Sequence, residues 1–175
     1  ATVTLRVKDG DGALLGDSIP RVHIVKYGAY MGEDETRVPD DEVDIIARIQ
    51  LAQSQQSKPQ GGAPQLHGIV LEGTSPYGMG SSSQHAALAI ATFSGMPVVR
   101  VGRADPGGRV PSDGRDSLSI AGSNLDTNKA RLLLMASLMK LGRLPKAQDP
   151  RNPTADERKA VQARLAEYQD IFENH

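Results

Sequence analysis

His67-Gly68-Ile69-Val70-Leu71-Glu72-Gly73-Thr74-Ser75-Pro76-Tyr77-Gly78-Met79-Gly80, running on to Gly95-Met96-Pro97-Val98-Val99-Arg100-Val101-Gly102-Arg103, is the stretch that decides the fold. Gly68 to Gly73 is a short β-branched run with glycine at both ends, the pattern of a buried parallel strand. Gly73 to Gly80 supply a loop, and Ser81, Ser82 or Ser83 caps the helix that follows. That helix ends at Gly95, a natural left-handed residue past a helix terminus. Met96 to Val101 is the next strand, with Pro97 near its start, where a missing N–H costs least. Strand, crossover helix and parallel strand make one βαβ unit, and such units gather ligand sites at the carboxyl ends of their strands. The loop 74–80 is therefore the first candidate site.

Working outward, Thr2 to Val7 alternates apolar and polar residues before an Asp9-Gly10-Asp11-Gly12 turn, as an edge strand or a linker does. Arg21-Val22-His23-Ile24-Val25-Lys26-Tyr27 is a cleaner strand. Pro39 with Asp40, Asp41 and Glu42 starts a helix over 41–53, because proline and acids suit a first turn. It dissolves into a polar, Gly- and Pro-ended connection at 53–62. Residues 104–118 are loop, and 117–121 form a short fourth strand. Asp126 or Thr127 caps a helix over 127–141 that is apolar almost all round, as in a helix buried between neighbours. Gly142 stops it. Thr154-Ala155-Asp156-Glu157 matches a capping box, and Val161, Leu165, Tyr168 and Phe172 form one stripe of a final helix over 154–172. The order specifies an α/β fold, a small, mostly parallel four-stranded sheet flanked by helices in the Rossmann manner, with a possible extra N-terminal edge strand. Residues 1–18 read as that edge strand or an interdomain linker, and 19–175 as the domain.

The 175 residues suit one domain with an adequate core, and a formal net charge of −1 argues against nucleic acid or an anionic membrane as partner. No apolar run approaches the ~20 residues that span a bilayer. With no cysteine there is no disulfide and no thiolate metal site, so the compartment stays open between cytoplasm and periplasm. Ala1 follows no signal-peptide pattern, which suits a mature product or a piece of something longer.

Gly73-Thr74-Ser75-Pro76-Tyr77-Gly78 has P-loop glycine spacing, but Met79 and Gly80 stand where that motif needs lysine and Ser/Thr. Without a cation for the terminal phosphates, the glycines read as a structural turn. His23, His67, His85 and His175 lack metal-ligand spacing and a nearby acidic cluster, which argues against metal or triad chemistry. Arg100 and Arg103 are candidates to pair with Asp105, Asp113 or Asp116 as ordinary loop salt bridges. No residue set makes a nucleophile with its base, so no catalytic residue, metal or cofactor is expected.

From Ile19 to Phe172 the chain resembles the carboxyl-terminal domain of bacterial-type L-asparaginases and glutaminase-asparaginases. The resemblance is carried by the strands Pro20 to Tyr27 and Gly68 to Gly73, by Gly95 to Arg103, by the loop from Gly107 to Val110 and by Ile171-Phe172. Its most telling piece is Gly122-Ser123-Asn124-Leu125-Asp126-Thr127-Asn128-Lys129-Ala130-Arg131. The resemblance implies hydrolysis of L-asparagine, with L-glutamine as a second candidate substrate, to the acid and ammonia in a full-length protein of amino-acid metabolism. The threonine nucleophile and its partners then belong to an amino-terminal catalytic domain that this chain does not match. The small domain's role would be to associate subunits in a homo-oligomer and to help close the site over an amino-acid amide. The substrate-proximal positions carried over are Thr74, Ser75, Tyr77, Gly78, Met79 and Asp113. This loop departs from the Gly-Asn-Gly-Asn-like family pattern, so position is implied rather than role. The alternative reading is a non-catalytic α/β module for small-anion binding or oligomerisation.

Overall fold

The structure, a computed structural model, describes residues 4, 6–15, 18–27, 49–50, 66–103, 109–112 and 116–174. Four strands, β1 (Arg21–Lys26), β2 (Leu66–Gly73), β3 (Val98–Gly102) and β4 (Ile120–Ala121), lie in the order β1-β2-β3-β4. Every neighbouring pair is parallel, as the sequence specifies. Three helices follow the expected spans: α1 (Ser82–Phe93), α2 (Thr127–Leu141) and α3 (Ala155–Glu173).

The period-2 alternation of β2 and β3 builds two cores. Val70, Val99 and Val101, with Val22 and Ile120, face α2 and α3, where Leu134, Leu138, Leu165, Tyr168 and Phe172 meet them. Ile69, Leu71 and Val98 face Ala87, Leu88 and Ala91 of α1. Burial of such side chains contributes roughly 1.5–3 kcal/mol each, so these two layers dominate the stability. Tyr168 is buried with its hydroxyl donating to the Gly142 carbonyl, and burial pushes its pKa well up.

The helix ends obey the local grammar. Ser81 caps α1 and pairs with Gln84 in a reciprocal capping box, a signal that reading the serines individually overlooks. Asp126 caps α2, and Thr154 with Glu157 caps α3. Gly95 follows α1 at φ +93°, the left-handed turn that glycine makes without a Cβ penalty.

Several expectations are corrected. β2 begins at Leu66, so His67 lies inside the strand, where its Nδ1 accepts from the Arg21 N–H at 3.1 Å. β4 is only Ile120–Ala121, because Leu118 N–H donates to Asp116 Oδ1 and Leu118 O accepts from Thr92 Oγ1, which takes the preceding residues out of the ladder. Gln169 of α3 then pairs the outer edge of β4, its amide accepting from Ala121 N–H and donating to Ala121 O. Helix α2 is not buried all round: Leu134 and Leu138 are buried while Leu132 is 65% exposed. Of the 2–7 stretch, Thr4, Arg6 and Val7 are described and none is in a strand; Lys8 and Leu14 instead form an isolated antiparallel bridge. Ile49 and Gln50 are helical and Ile49 packs into the α1-side core. The rest of the expected 41–53 helix and the 53–62 connection lie outside the described residues, apart from that pair.

Candidate functional site

The loop 74–80 folds back over the carboxyl ends of β2 and β3. Thr74 and Met79 form an antiparallel bridge around the turn, with Thr74 N–H donating to Met79 O and Gly78 N–H to Thr74 O. Gly78 has φ +63°, and a Cβ there would lie 2.9 Å from Val101 O. A Cβ on Gly73 would lie 2.3 Å from the Gly78 carbonyl carbon. The glycines are thus required by a backbone stacked on backbone, in line with the structural-turn reading. Gly80 N–H donates to His85 Nε2 and Ser81 N–H to Gln84 Oε1, so these loop amides are committed within the protein rather than aimed at a phosphate.

Beneath the loop lies a polar cluster on an otherwise apolar sheet face. In the β2–β3 register Arg100 sits opposite Leu71, on the α1 side, and is only 3% exposed. A buried guanidinium is costly unless paired. Its Nε donates to Ser119 Oγ at 2.6 Å and lies 3.6 Å from Asp116 Oδ2, while Nη1 donates to Tyr77 O at 2.6 Å and to Met79 Sδ at 3.6 Å. Ser119 in turn donates to Asp116 Oδ2 at 2.6 Å. His85 Nδ1 stands 3.8 Å from the same carboxylate oxygen. Because His85 Nε2 accepts from Gly80, the ring proton of the neutral imidazole belongs on Nδ1, facing Asp116. A cavity of about 160 Å³ opens beside this cluster, with Leu88, Thr92 and Leu118 on its wall. A second, of about 240 Å³, lies towards Gln162 and Gln169 of α3.

The neighbouring strand ends carry a separate ion pair. Glu72 accepts from Thr127 Oγ1 at 2.7 Å and lies 3.6 Å from Arg103 Nε and 3.9 Å from Lys26 Nζ. Arg103 Nη1 also donates to Tyr27 O at 3.4 Å. Ser123, at φ +55°, is the non-glycine residue of positive φ among the described residues, placed just beyond β4.

The expected site residues are thus partly assembled. Thr74 and Ser75 are exposed, Tyr77 and Met79 half-buried over Arg100, and Gly78 buried; Asp113 lies outside the described residues. The Arg100–Asp116 pair forms as expected, but in the interior rather than in a surface loop. Arg103 pairs with Glu72, and His85, read from the sequence as lacking an acidic cluster, faces the single carboxylate of Asp116. Among the described residues no group of His, Asp and Glu is placed to hold a metal ion. The signal that could have found the cluster was Arg100 itself, a cation in an inward-facing position of a buried strand.

Fold and site together define a parallel α/β domain whose loops meet at the carboxyl edge of its sheet. No protein-family model and no curated protein sequence matches the chain. Among solved structures it is similar to a probable cytoplasmic L-asparaginase from Campylobacter jejuni, with a TM-score of 0.51 and 22% identity. That likeness covers 90% of this chain and 35% of the other, and it is a likeness of fold: the domain is asparaginase-like in architecture. No described helix is long and apolar enough to cross a membrane.

Proposed function

We propose that residues 19–175 are the smaller domain of an asparaginase-like amidohydrolase, with 1–18 as an interdomain linker. It acts by packing against a threonine-bearing catalytic domain and closing that domain's site over an amino-acid amide, asparagine or glutamine. The observation that carries this reading is the fold likeness, which takes in nearly the whole of this chain and only a third of an L-asparaginase. The loop 74–80 is the part that approaches the substrate, since it projects from the carboxyl ends of parallel strands, where α/β folds place their ligands. The small-anion module is the weaker reading, because the amides of Gly78, Gly80 and Ser81 are already occupied.

The test is to express the open reading frame around these codons and the 175-residue chain side by side. Ammonia release from L-asparagine and L-glutamine is followed for both. Turnover by the longer product and none by the chain alone is expected, because acyl transfer needs an activated nucleophile and oxyanion donors. A frame with no threonine-bearing, glycine-rich upstream segment, or turnover by the purified chain itself, would overturn the proposal.

A further inference from the structure

We infer that Asp116, through Arg100 and His85, is a positioning residue that sets the conformation of the 74–80 loop. The functional meaning of this inference rests on the loop's being substrate-proximal; its structural content rests on geometry alone.

One carboxylate oxygen, Asp116 Oδ2, meets three groups: Ser119 Oγ at 2.6 Å, Arg100 Nε at 3.6 Å and His85 Nδ1 at 3.8 Å. The other oxygen is held by the Leu118 N–H at 3.0 Å, which fixes the carboxylate's orientation. The two basic side chains come from different elements, Arg100 from β3 and His85 from α1, and each takes hold of one part of the loop. Arg100 makes a charge-assisted bond to Tyr77 O at the turn, and His85 accepts the Gly80 N–H at the exit into α1. A cation needing only neutralisation is satisfied by Asp116 and Ser119; the reach to Tyr77 and Met79 adds a second task. The carboxylate keeps Arg100 oriented for Tyr77 and favours the His85 tautomer that leaves Nε2 open as an acceptor. The segment ahead of β4 and the loop after β2 are thereby joined through two side chains, so a shift in one is felt in the other.

Amide hydrogen exchange on the full 175-residue chain tests this. Asp116→Asn keeps the shape but removes the charge, and should speed exchange of the Gly78 and Gly80 amides by about tenfold or more, the effect of losing one charge-assisted bond. The β2 amides of Ile69 and Leu71 serve as the core reference and should hold their rates. Arg100→Lys keeps the charge but cannot bridge Ser119 and Tyr77 together, so it should loosen the loop with the core protected. His85→Ala should free Gly80, and its effect should be less than additive with that of Asp116→Asn. If Asp116→Asn does not fold, the lysine and alanine variants decide alone. An unchanged loop in folded Asp116→Asn, loop and core loosening together, or a loop unchanged in the lysine and alanine variants, overturns the inference. Exchange is read without any activity, so a loosened loop in a protein that proves not to be an amidohydrolase part would sink the functional proposal and leave the clamp.

Discussion

Gly78 rests on the backbone of Val101 with φ +63°, so two separate penalties meet any side chain placed there. Left-handed backbone costs a non-glycine residue roughly 1–2 kcal/mol, and the contact with Val101 O adds a steric term. Gly78→Ala is expected to lose on the order of 2–3 kcal/mol, seen as a lowered urea midpoint at unchanged slope. Gly10, in an open turn with nothing near its missing Cβ, is the control. Gly10→Ala should stay within about 0.5 kcal/mol of the parent. Equal losses at the two sites would refute the close approach of loop and strand. Arg100 teaches the complementary lesson: one buried cation recruits a carboxylate, a hydroxyl and a loop carbonyl, and so turns a packing position into a joint.

At the scale of elements, α3 depends on its first turn. Thr154 Oγ1 accepts the Glu157 N–H, and Glu157 accepts from the backbone N–H groups of Thr154 and Gln148 at 2.7 Å each. Thr154→Ala should cost about 1 kcal/mol in a denaturant titration. The Gln148 N–H, and then the Thr154 groups, hold the Glu157 carboxyl below its ordinary value of 4.5. A depressed carboxyl stabilises the fold above that ordinary value, and the contribution is lost as pH falls through the lower folded-state value. Glu157→Gln should therefore flatten the acid limb of the stability profile, with its deficit largest at neutral pH and shrinking as pH falls. A profile of unchanged shape would count against the box. The same helix closes the sheet edge through Gln169, whose amide takes the place of a fifth strand beside Ala121.

For the whole molecule, association is the open physical consequence of the surface. Leu14, Ile19 and Met135 share a hollow of about 520 Å³ beside β1, with Arg131 at its rim. Leu14 is 60% exposed, and Leu132 on α2 is exposed as well. Exposed apolar side chains such as these favour self-association where a second copy covers them. We expect a homodimer or larger species in light scattering over a dilution series, shifted towards monomer by paired Ile19→Asp and Leu132→Asp substitutions. A monomer at the highest concentration would leave the apolar surface without that role.

β1, β2, β3, the three described helices and the capping box of α3 were legible because each is written in neighbouring residues: alternation at period 2, stripes at period 3.6, a capping side chain three residues from its target. The Ser81–Gln84 box and the shortness of β4 were not. Parallel order followed from the helix length between Gly73 and Val98, which a hairpin does not need. Of the polar cluster, the Arg100–Asp116 pairing was among the candidates, but its burial and its other partners were not legible in this way. Asp116, Arg100, His85 and Tyr77 belong to four different segments, and only the β2–β3 register and the fold-back of loop 74–80 bring them within bonding distance. The pairing of Arg103 with Glu72 rather than an aspartate was likewise settled by strand register, which places adjacent strand ends side by side. Local propensity acts over a turn or a few residues, whereas partners for buried charge are chosen by packing between elements. The chain's own spelling therefore determined the elements and their order, and the tertiary structure decided which charges meet and which loop they hold.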